Sequence, residues 1–479
     1  MAESKPAQTE NNKKEKQISF YEKHKKIYIK EVSGWWNHWR WFFVIFTQII
    51  FYGLPWLTWN DRQAVLFHLV ERKFYIFGLV LWPQDVFYLA ILLIISAYAL
   101  FLFTAVAGRL FCGYACPQTV YTEIYMWIEN RIEGADRLKR KKLDEAPMSA
   151  EKFRKKFIKH FLWIALALWT GFTLTAYFTP MSELFAEFPY DLSAWETFWI
   201  LFYAAFLYMQ AGFLREQVCK YMCPYARFQG VMYDPDTLVI TYDKVRGEPR
   251  GLKKKSAKAE ADNAVKLGDC VDCNLCVVAC PTGIDIRNGL QYECIGCGAC
   301  IDACDPVMDK LKKPRGLIRY TSENALAKGK EHEGLFKHLW RPRIMIYSGI
   351  LALIIAAAGW SLVARVPLKV DVIRDRAVLA RENIQGRIEN VYELKIMNVT
   401  EQPQKYTISV EGLPGIAMKS EVDLPIEVAP AANHEVSVTV DVEPDAAPEG
   451  ANNIYFVIKS VDDENLQVRE KASFLMQKD

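Results

Sequence analysis

The 479-residue sequence is short of several things, and each absence narrows its class. No cysteine follows Cys304, so the C-terminal stretch holds no disulfide framework. The twelve cysteines before it fall in motif-like groups, unlike those of a small secreted scaffold, and this favours metal or redox chemistry. The excess of basic residues is slight, 59 Lys and Arg against 56 Asp and Glu, which argues against a nucleic-acid-binding face. No Gly-x-Gly-x-x-Gly fingerprint for a dinucleotide cofactor occurs. The seven histidines, His24, His38, His68, His160, His332, His338 and His434, are scattered, and ordinary surface or interfacial positions are expected for them. His68 and His160, near the ends of apolar runs, are kept as candidate cofactor ligands. The N-terminal segment is Lys-rich (Lys13, Lys14, Lys16, Lys23, Lys25, Lys26, Lys30) and lacks the apolar run of a signal peptide.

The averages, 51% hydrophobic and 24% charged, look like those of a soluble globular chain and conceal segregation along it. Val86–Ala107 runs without a charge and is long enough to span a bilayer, as is Ile344–Ala364. Trp41–Leu57, Phe157–Phe178 and Trp195–Leu214 are shorter or more polar candidates. Trp and Tyr at their ends fit an interfacial belt. The loop from Arg131 to Lys156 holds ten Lys or Arg, whereas Thr179–Ala194 holds none. The positive-inside rule therefore puts the first loop in the cytoplasm and the second outside. Five spans then leave residues 224–340 inside and the chain after Arg365 outside, with every cysteine on or near the reducing side.

Between the fourth and fifth spans lie CVDCNLCVVACP (Cys270–Pro281) and CIGCGACIDACDP (Cys294–Pro306), each a C-x2-C-x2-C-x3-C run. In two-cluster ferredoxins the last cysteine of each run serves the other cluster. The expected ligand sets are Cys270, Cys273, Cys276 with Cys304, and Cys294, Cys297, Cys300 with Cys280, each for one [4Fe-4S] cluster. Zinc ribbons use paired Cys-x2-Cys and have no use for the third and fourth cysteine of each run. Gly296 and Gly298 allow the backbone to wrap a cluster closely.

The other four cysteines form a repeat: RLFCGYACPQ (Arg109–Gln118) after the second span and REQVCKYMCPY (Arg215–Tyr225) after the fourth. Spacing of i and i+4 predicts both sulfurs of a pair on one helical face, with Pro117 and Pro224 kinking or ending the helix. The duplicated halves could bring Cys112, Cys116, Cys219 and Cys223 together, with Arg109 and Arg215 favouring thiolate over thiol. Thiolates are soft ligands, so the four could bind and reduce Cu(II), cycle through a disulfide or hold a further cluster. Thiols packed at helix ends are the plain alternative. After Lys369 the pattern turns to alternating runs separated by Pro, Gly, Asn and Asp, which predicts an immunoglobulin-like β-sandwich without a disulfide.

The expected fold is thus a multidomain membrane protein: a five-helix α-helical transmembrane bundle, a cytoplasmic α+β dicluster ferredoxin-like insert and a C-terminal immunoglobulin-like β-sandwich. The divisions are a basic cytoplasmic N-terminus (1–38), four transmembrane helices with the duplicated motif (39–223), the ferredoxin-like domain (224–340), a fifth span (341–365) and a periplasmic domain (366–479).

With FYGLPWL and RKFYIFGLVLWPQD before the second span, these motifs closely resemble the CcoG family, also called RdxA or FixG, accessory proteins of cbb-type cytochrome c oxidases. The resemblance covers nearly the whole length, and all twelve expected cysteines are present. It implies a cupric reductase of the bacterial inner membrane that supplies Cu(I) for oxidase assembly. Copper would be substrate or bound ion at Cys112, Cys116, Cys219 and Cys223, fed by the clusters. The implied partners are oxidase assembly factors, copper chaperones, membrane lipid and an electron donor, either a protein or a membrane quinol; a homodimer is compatible. Polyferredoxin subunits of nitrate and nitrous-oxide reduction systems share the membrane cysteines. A quinol-oxidising subunit feeding a periplasmic reductase therefore stands as one alternative, and a non-enzymatic copper chaperone or scaffold as another.

Overall fold

The computed structural model describes residues 26–60, 62–251, 267–329, 340–375, 380–463 and 466–477. His24, His332, His338 and the N-terminal lysines up to Lys25 lie outside the described residues.

Among the described residues four helices are long and apolar enough to cross a membrane: Pro83–Ala107, Ala150–Thr175, Ala194–Leu214 and Pro342–Val363. The third turns π-helical over Tyr208–Leu214. Most of the expected span Trp41–Leu57 lies in a helix, Trp35–Gly53, that falls outside these four; its last residues, from Leu54, are beyond the helix end. Its opening turns carry Asn37, His38 and Arg40, and Pro55 follows its end. Helices Ala150–Thr175 and Ala194–Leu207 approach closely at Gly171, where a Cβ would meet the Ile200 carbonyl oxygen at 2.5 Å. The other two pair through Tyr88, whose hydroxyl donates to the Ser361 carbonyl at 3.0 Å.

The bundle has two differently dressed ends. At one, the 54–85 connection folds into a three-stranded antiparallel sheet (Val65–His68, Lys73–Ile76, Leu79–Leu81). Its Leu66, Tyr75, Val80 and Trp82 share a core with Met397 and Ala431 of the C-terminal region. Buried Asp85 accepts from Arg365 at 2.9 Å and also from Lys369, so the start of one span is tied to the end of another. Glu401 accepts from Arg62 at 3.0 Å and from Trp59 at 3.2 Å. The sequence alone showed nothing of this sheet, because its strands are three or four residues long.

The C-terminal region is two antiparallel sheets packed face to face. One runs Ala417–Ser420, Asn433–Val442, Ile388–Asn398, Leu368–Arg374, with Arg381–Glu382 beside Ile388–Asn398. The other runs Ile426–Val428, Gln404–Glu411, Gly450–Ser460, Gln467–Met476. Alternate residues of Ile388–Asn398 (Ile388, Tyr392, Leu394, Ile396) enter the core with Phe456 and Phe474, the period of two read in the sequence.

At the opposite end sits the cysteine-rich region. It is built on a two-stranded antiparallel sheet, Val239–Tyr242 with Ile318–Thr321, and on helix Ala299–Lys310. Arg341 holds it to the bundle, pairing with Asp234 at 2.8 Å and donating to the Ala105 carbonyl at 2.9 Å.

Candidate redox site

Two cavities lie inside the cysteine-rich region. Cys270, Cys273, Cys276 and Cys304 line one; Cys280, Cys294, Cys297 and Cys300 line the other. The structure thus gathers the two foursomes that the sequence predicts, and Cys276 touches both cavities. Their remaining walls are mostly apolar, with Ile240, Ile284, Ile286 and Ile295 around one and Leu317, Ile318 and Met308 around the other.

The loops show why the spacing works. Gly296 and Gly298 have positive φ (66° and 77°), and the matching positions of the first run, Asp272 and Asn274, share that conformation (52° and 57°). Asp and Asn are the side-chain-bearing residues that tolerate it best. Arg287 steadies them, donating to Asp272 and to Asn274 at 2.5 Å each and to Asp285 at 2.7 Å.

Four thiols around each mostly apolar cavity are a donor set that fits a cubane cluster. Among the described residues no three His, Cys, Asp or Glu side chains converge to hold a single metal ion. A cubane does not require that, since each thiolate binds its own iron. Burial raises the Cys300 thiol well above its ordinary range, pushes Cys294 and Cys304 up to about 12 and Cys276 to about 11. Cationic iron is what makes such thiols ligands, because metal binding deprotonates them.

The two Cys-x3-Cys-Pro motifs have one local design. Cys112 lies in the short helix Leu110–Tyr114, and Cys219 in a π-helical turn, Val218–Met222. Cys116 and Cys223 are extended (φ −64°, ψ 127° and φ −78°, ψ 111°) and cap the helices Pro117–Glu133 and Pro224–Met232. The proline explains both: it excludes the preceding residue from the helical region and is itself welcome as a first helical residue. In each motif the second cysteine's N–H reaches back five residues, to the Phe111 carbonyl at 3.0 Å and the Val218 carbonyl at 2.8 Å. The expectation of two sulfurs on one helical face is therefore corrected: each pair straddles a helix break.

The arginines also depart from expectation. Gly108 and Arg215, each four residues before the first cysteine, occupy equivalent left-handed positions (φ 56° and 39°), so Arg109 and Arg215 are not counterparts. Buried Arg109 donates to the carbonyls of Tyr292 and Ala226. Arg215 turns away to Glu129 at 2.6 Å. The thiolate expectation fails on magnitude: burial, reinforced by Cys116, outweighs Arg109 and pushes the Cys112 thiol up to about 12. Burial does the same to Cys219. Cys116, Cys219 and Cys223 each contribute to the shift at Cys112, so the duplicated halves bring the four near one another, without three of them converging as a single-ion site among the described residues. The Cys112 thiol donates to Gln229 Oε1 at 3.4 Å, a fully buried partner that the sequence did not flag. All twelve cysteines are free. His68 accepts from the Glu71 N–H at 3.1 Å in a turn, and His160 pairs with the Tyr208 hydroxyl at 2.9 Å; both read as local structural contacts.

The second ferredoxin loop presses directly on the first membrane-edge motif. A Cβ on Gly113 would meet the Ile295 carbonyl oxygen at 2.9 Å and the Cys297 Cα at 3.0 Å. The Tyr114 hydroxyl donates to the Cys297 carbonyl at 3.3 Å, and the Tyr320 hydroxyl to that of Gly296. Cys112 and Cys219 pack against Ile295, Cys297 and Ala299. A small cavity joins Cys219 and Gln118 to Pro281 and Thr282. The order in space is first cavity, second cavity, four thiols.

Family models match in three places: a 4Fe-4S dicluster domain over residues 214–323, a 4Fe-4S binding domain over 89–135, and the IG-like fold at the C-terminus of FixG over 358–477. Apolar helices, iron–sulfur domains and this arrangement of thiols define a membrane-associated, redox-active electron-transfer protein. The chain is 38% identical over 459 residues to nitrogen fixation protein FixG of Rhizobium meliloti (89% of this chain, 85% of that one). It is 39% identical over 419 residues to protein RdxB of Cereibacter sphaeroides (84% and 85%) and 36% identical over 443 to RdxA of the same organism (89% and 90%). The crystal structure of a FixG-related protein from Vibrio parahaemolyticus aligns at 27% identity and TM-score 0.21, covering 23% of this chain and 98% of that one. The chain belongs to the FixG family, which includes RdxA and RdxB.

Proposed function

We propose that this chain is a cupric reductase of the bacterial inner membrane that passes single electrons through two [4Fe-4S] clusters to the four membrane-edge cysteines, supplying Cu(I) for assembly of a cbb-type cytochrome c oxidase. The observation that carries it is the packing of Cys112 and Cys219 on the loop of Cys294, Cys297 and Cys300. Cys270, Cys273, Cys276 and Cys304 would hold one cluster, and Cys280, Cys294, Cys297 and Cys300 the other. The clusters would supply one-electron transfer, which matches the one electron that Cu(II) takes. Cys112, Cys116, Cys219 and Cys223 are soft donors suited to Cu(I). The N-terminus and the ferredoxin region would lie in the cytoplasm and the C-terminal domain in the periplasm, where assembly factors and copper chaperones would receive the product.

The test is anaerobic: reduced protein mixed with Cu(II) in the presence of a Cu(I)-specific chelator. Cu(I) should form rapidly with the natural chain and fall to the protein-free background when all four membrane-edge cysteines are replaced by Ala. A quadruple variant as fast as the natural chain would sink the reading. The 4Fe-4S match over residues 89–135 contains Cys112 and Cys116 and favours one rival, a third cluster on the four membrane-edge thiols. Iron analysis separates the two, at about eight atoms per chain for two cubanes and about twelve for three.

A further inference from the structure

An apolar cavity in the bundle lies beside the membrane-edge thiols. It measures about 390 Å³, sits between helices Trp35–Gly53, Pro117–Glu133, Ala150–Thr175 and Ala194–Leu207, and is flanked by Ala115 and Pro117, the neighbours of Cys116. Phe206, 49% exposed on a membrane-spanning helix, forms part of its wall. Its walls are mainly apolar, including Phe51 and Leu174. Gln48 alters that character: its Oε1 is buried without a hydrogen-bond partner while the side chain lines the cavity. An acceptor left so costs stability unless a ligand donates to it. Gln118 forms a shared wall, lining this cavity and also the smaller one that runs from Cys219 to Pro281 and Thr282.

We propose that this cavity binds the headgroup of an isoprenoid quinol, the electron donor to the cluster relay, with the tail leaving past Phe206 into the bilayer. A pocket whose exposed wall is mainly apolar, with a few polar groups such as Gln48 and the neighbouring Tyr121, is the usual form of a small-ligand site, and its size falls in the usual range. A quinol hydroxyl supplies the donor that Gln48 Oε1 lacks, and the Gln48 amide NH2 can in turn donate to the oxidised carbonyl. A lipid acyl chain would leave that acceptor unmatched. Oxidation of one quinol breaks its two O–H bonds, releases two protons to water and yields two electrons, one for each of two one-electron acceptors. The inference rests on the relay reading but not on copper as its terminus.

The experiment uses purified, cluster-loaded protein and decylubiquinol as probe. Equilibrium dialysis should show saturable binding of the oxidised probe, and decylubiquinol should bleach the cluster absorbance. Gln48→Leu should raise the half-saturating concentration by about tenfold, the worth of one buried hydrogen bond. Leu174→Trp, which fills the cavity, should abolish binding. Both variants should still be reduced fully by dithionite and still pass electrons to Cu(II), which shows that they fold and hold their clusters. The proposal is overturned by no saturable binding, by variants that bind like the natural chain, by displacement of the probe by phospholipid at micellar ratios, or by bound quinol that leaves the clusters oxidised. Quinol reduction of the clusters with no Cu(I) formed would instead overturn the copper reading and leave this one standing.

Discussion

Gly113 is where the electron path is most sensitive to a single atom. A methyl group there meets backbone, the Ile295 carbonyl and the Cys297 Cα, neither of which can rotate away. Gly113→Ala is expected to cost about 1–3 kcal/mol by overpacking and to alter the electron paramagnetic resonance signal of the nearer cluster. Gly230→Ala, where a Cβ meets nothing within 4 Å, should leave both unchanged, as checked by thermal unfolding and spectroscopy. Glu129 is the second such residue. Burial alone would raise its carboxyl, but Arg215, Lys26 and Lys159 together hold it far below the ordinary glutamate value of 4.5. A carboxylate depressed in the folded state contributes its full stability above its unfolded value, and that stability is lost as pH falls from there toward the folded value. The unfolding midpoint should therefore hold from about pH 7 to about pH 5.5 and drop progressively below that. Glu129→Gln should flatten the profile and cost of order 3 kcal/mol at neutral pH, because Arg215 is left buried beside a neutral group. The cysteines of this site were legible in the sequence by spacing. Glu129, Gln229 and Arg287 were not, because each acts across a long stretch of chain or through a loop conformation that no local pattern encodes.

Among the elements, the spans Val86–Ala107 and Ile344–Ala364 were legible from length and apolarity, and the C-terminal strands from alternation. Trp41–Leu57 was read as a span, yet the helix that holds most of it, Trp35–Gly53, begins earlier, and its opening turns serve another purpose. Gly34 has no side chain with which to cap the helix. The cap comes from Asp302 in the ferredoxin helix, which accepts from the N–H of Asn37 at 2.7 Å and of Trp36 at 3.3 Å. Trp36 also packs against Tyr320, ring centres 4.6 Å apart. Asp302→Ala should cost about 1–2 kcal/mol, the usual worth of a cap, and amide exchange should quicken at Trp36 and Asn37 first. Unchanged protection there would mean that the contact carries no weight. The paired helix breaks at Cys116 and Cys223 follow from the prolines in the sequence, but their effect on the sulfurs emerges only once the chain turns extended before each proline.

At the scale of the whole molecule, the 54–85 sheet and the C-terminal sandwich share one end of the bundle and the ferredoxin region holds the other. The sequence implied this through charge alone; it could not show that the two extramembrane pieces of the first end fuse into one core, since Leu66 and Met397 meet only in three dimensions. Single cysteines at Tyr190 and Ile384, both highly exposed, should react in intact cells with a membrane-impermeant thiol reagent, and one at Val245, 93% exposed, only after permeabilisation. The reverse pattern would invert the proposed orientation. The Asp302 cap has a further consequence, one of timing. The helix that begins at Trp35 emerges from the ribosome early, whereas the residue that caps it lies 265 positions further along the chain. Until the cluster-binding segment is made and folded, that helix ends in unsatisfied amides. Completion of that helix end is thereby made contingent on a part of the chain synthesised much later.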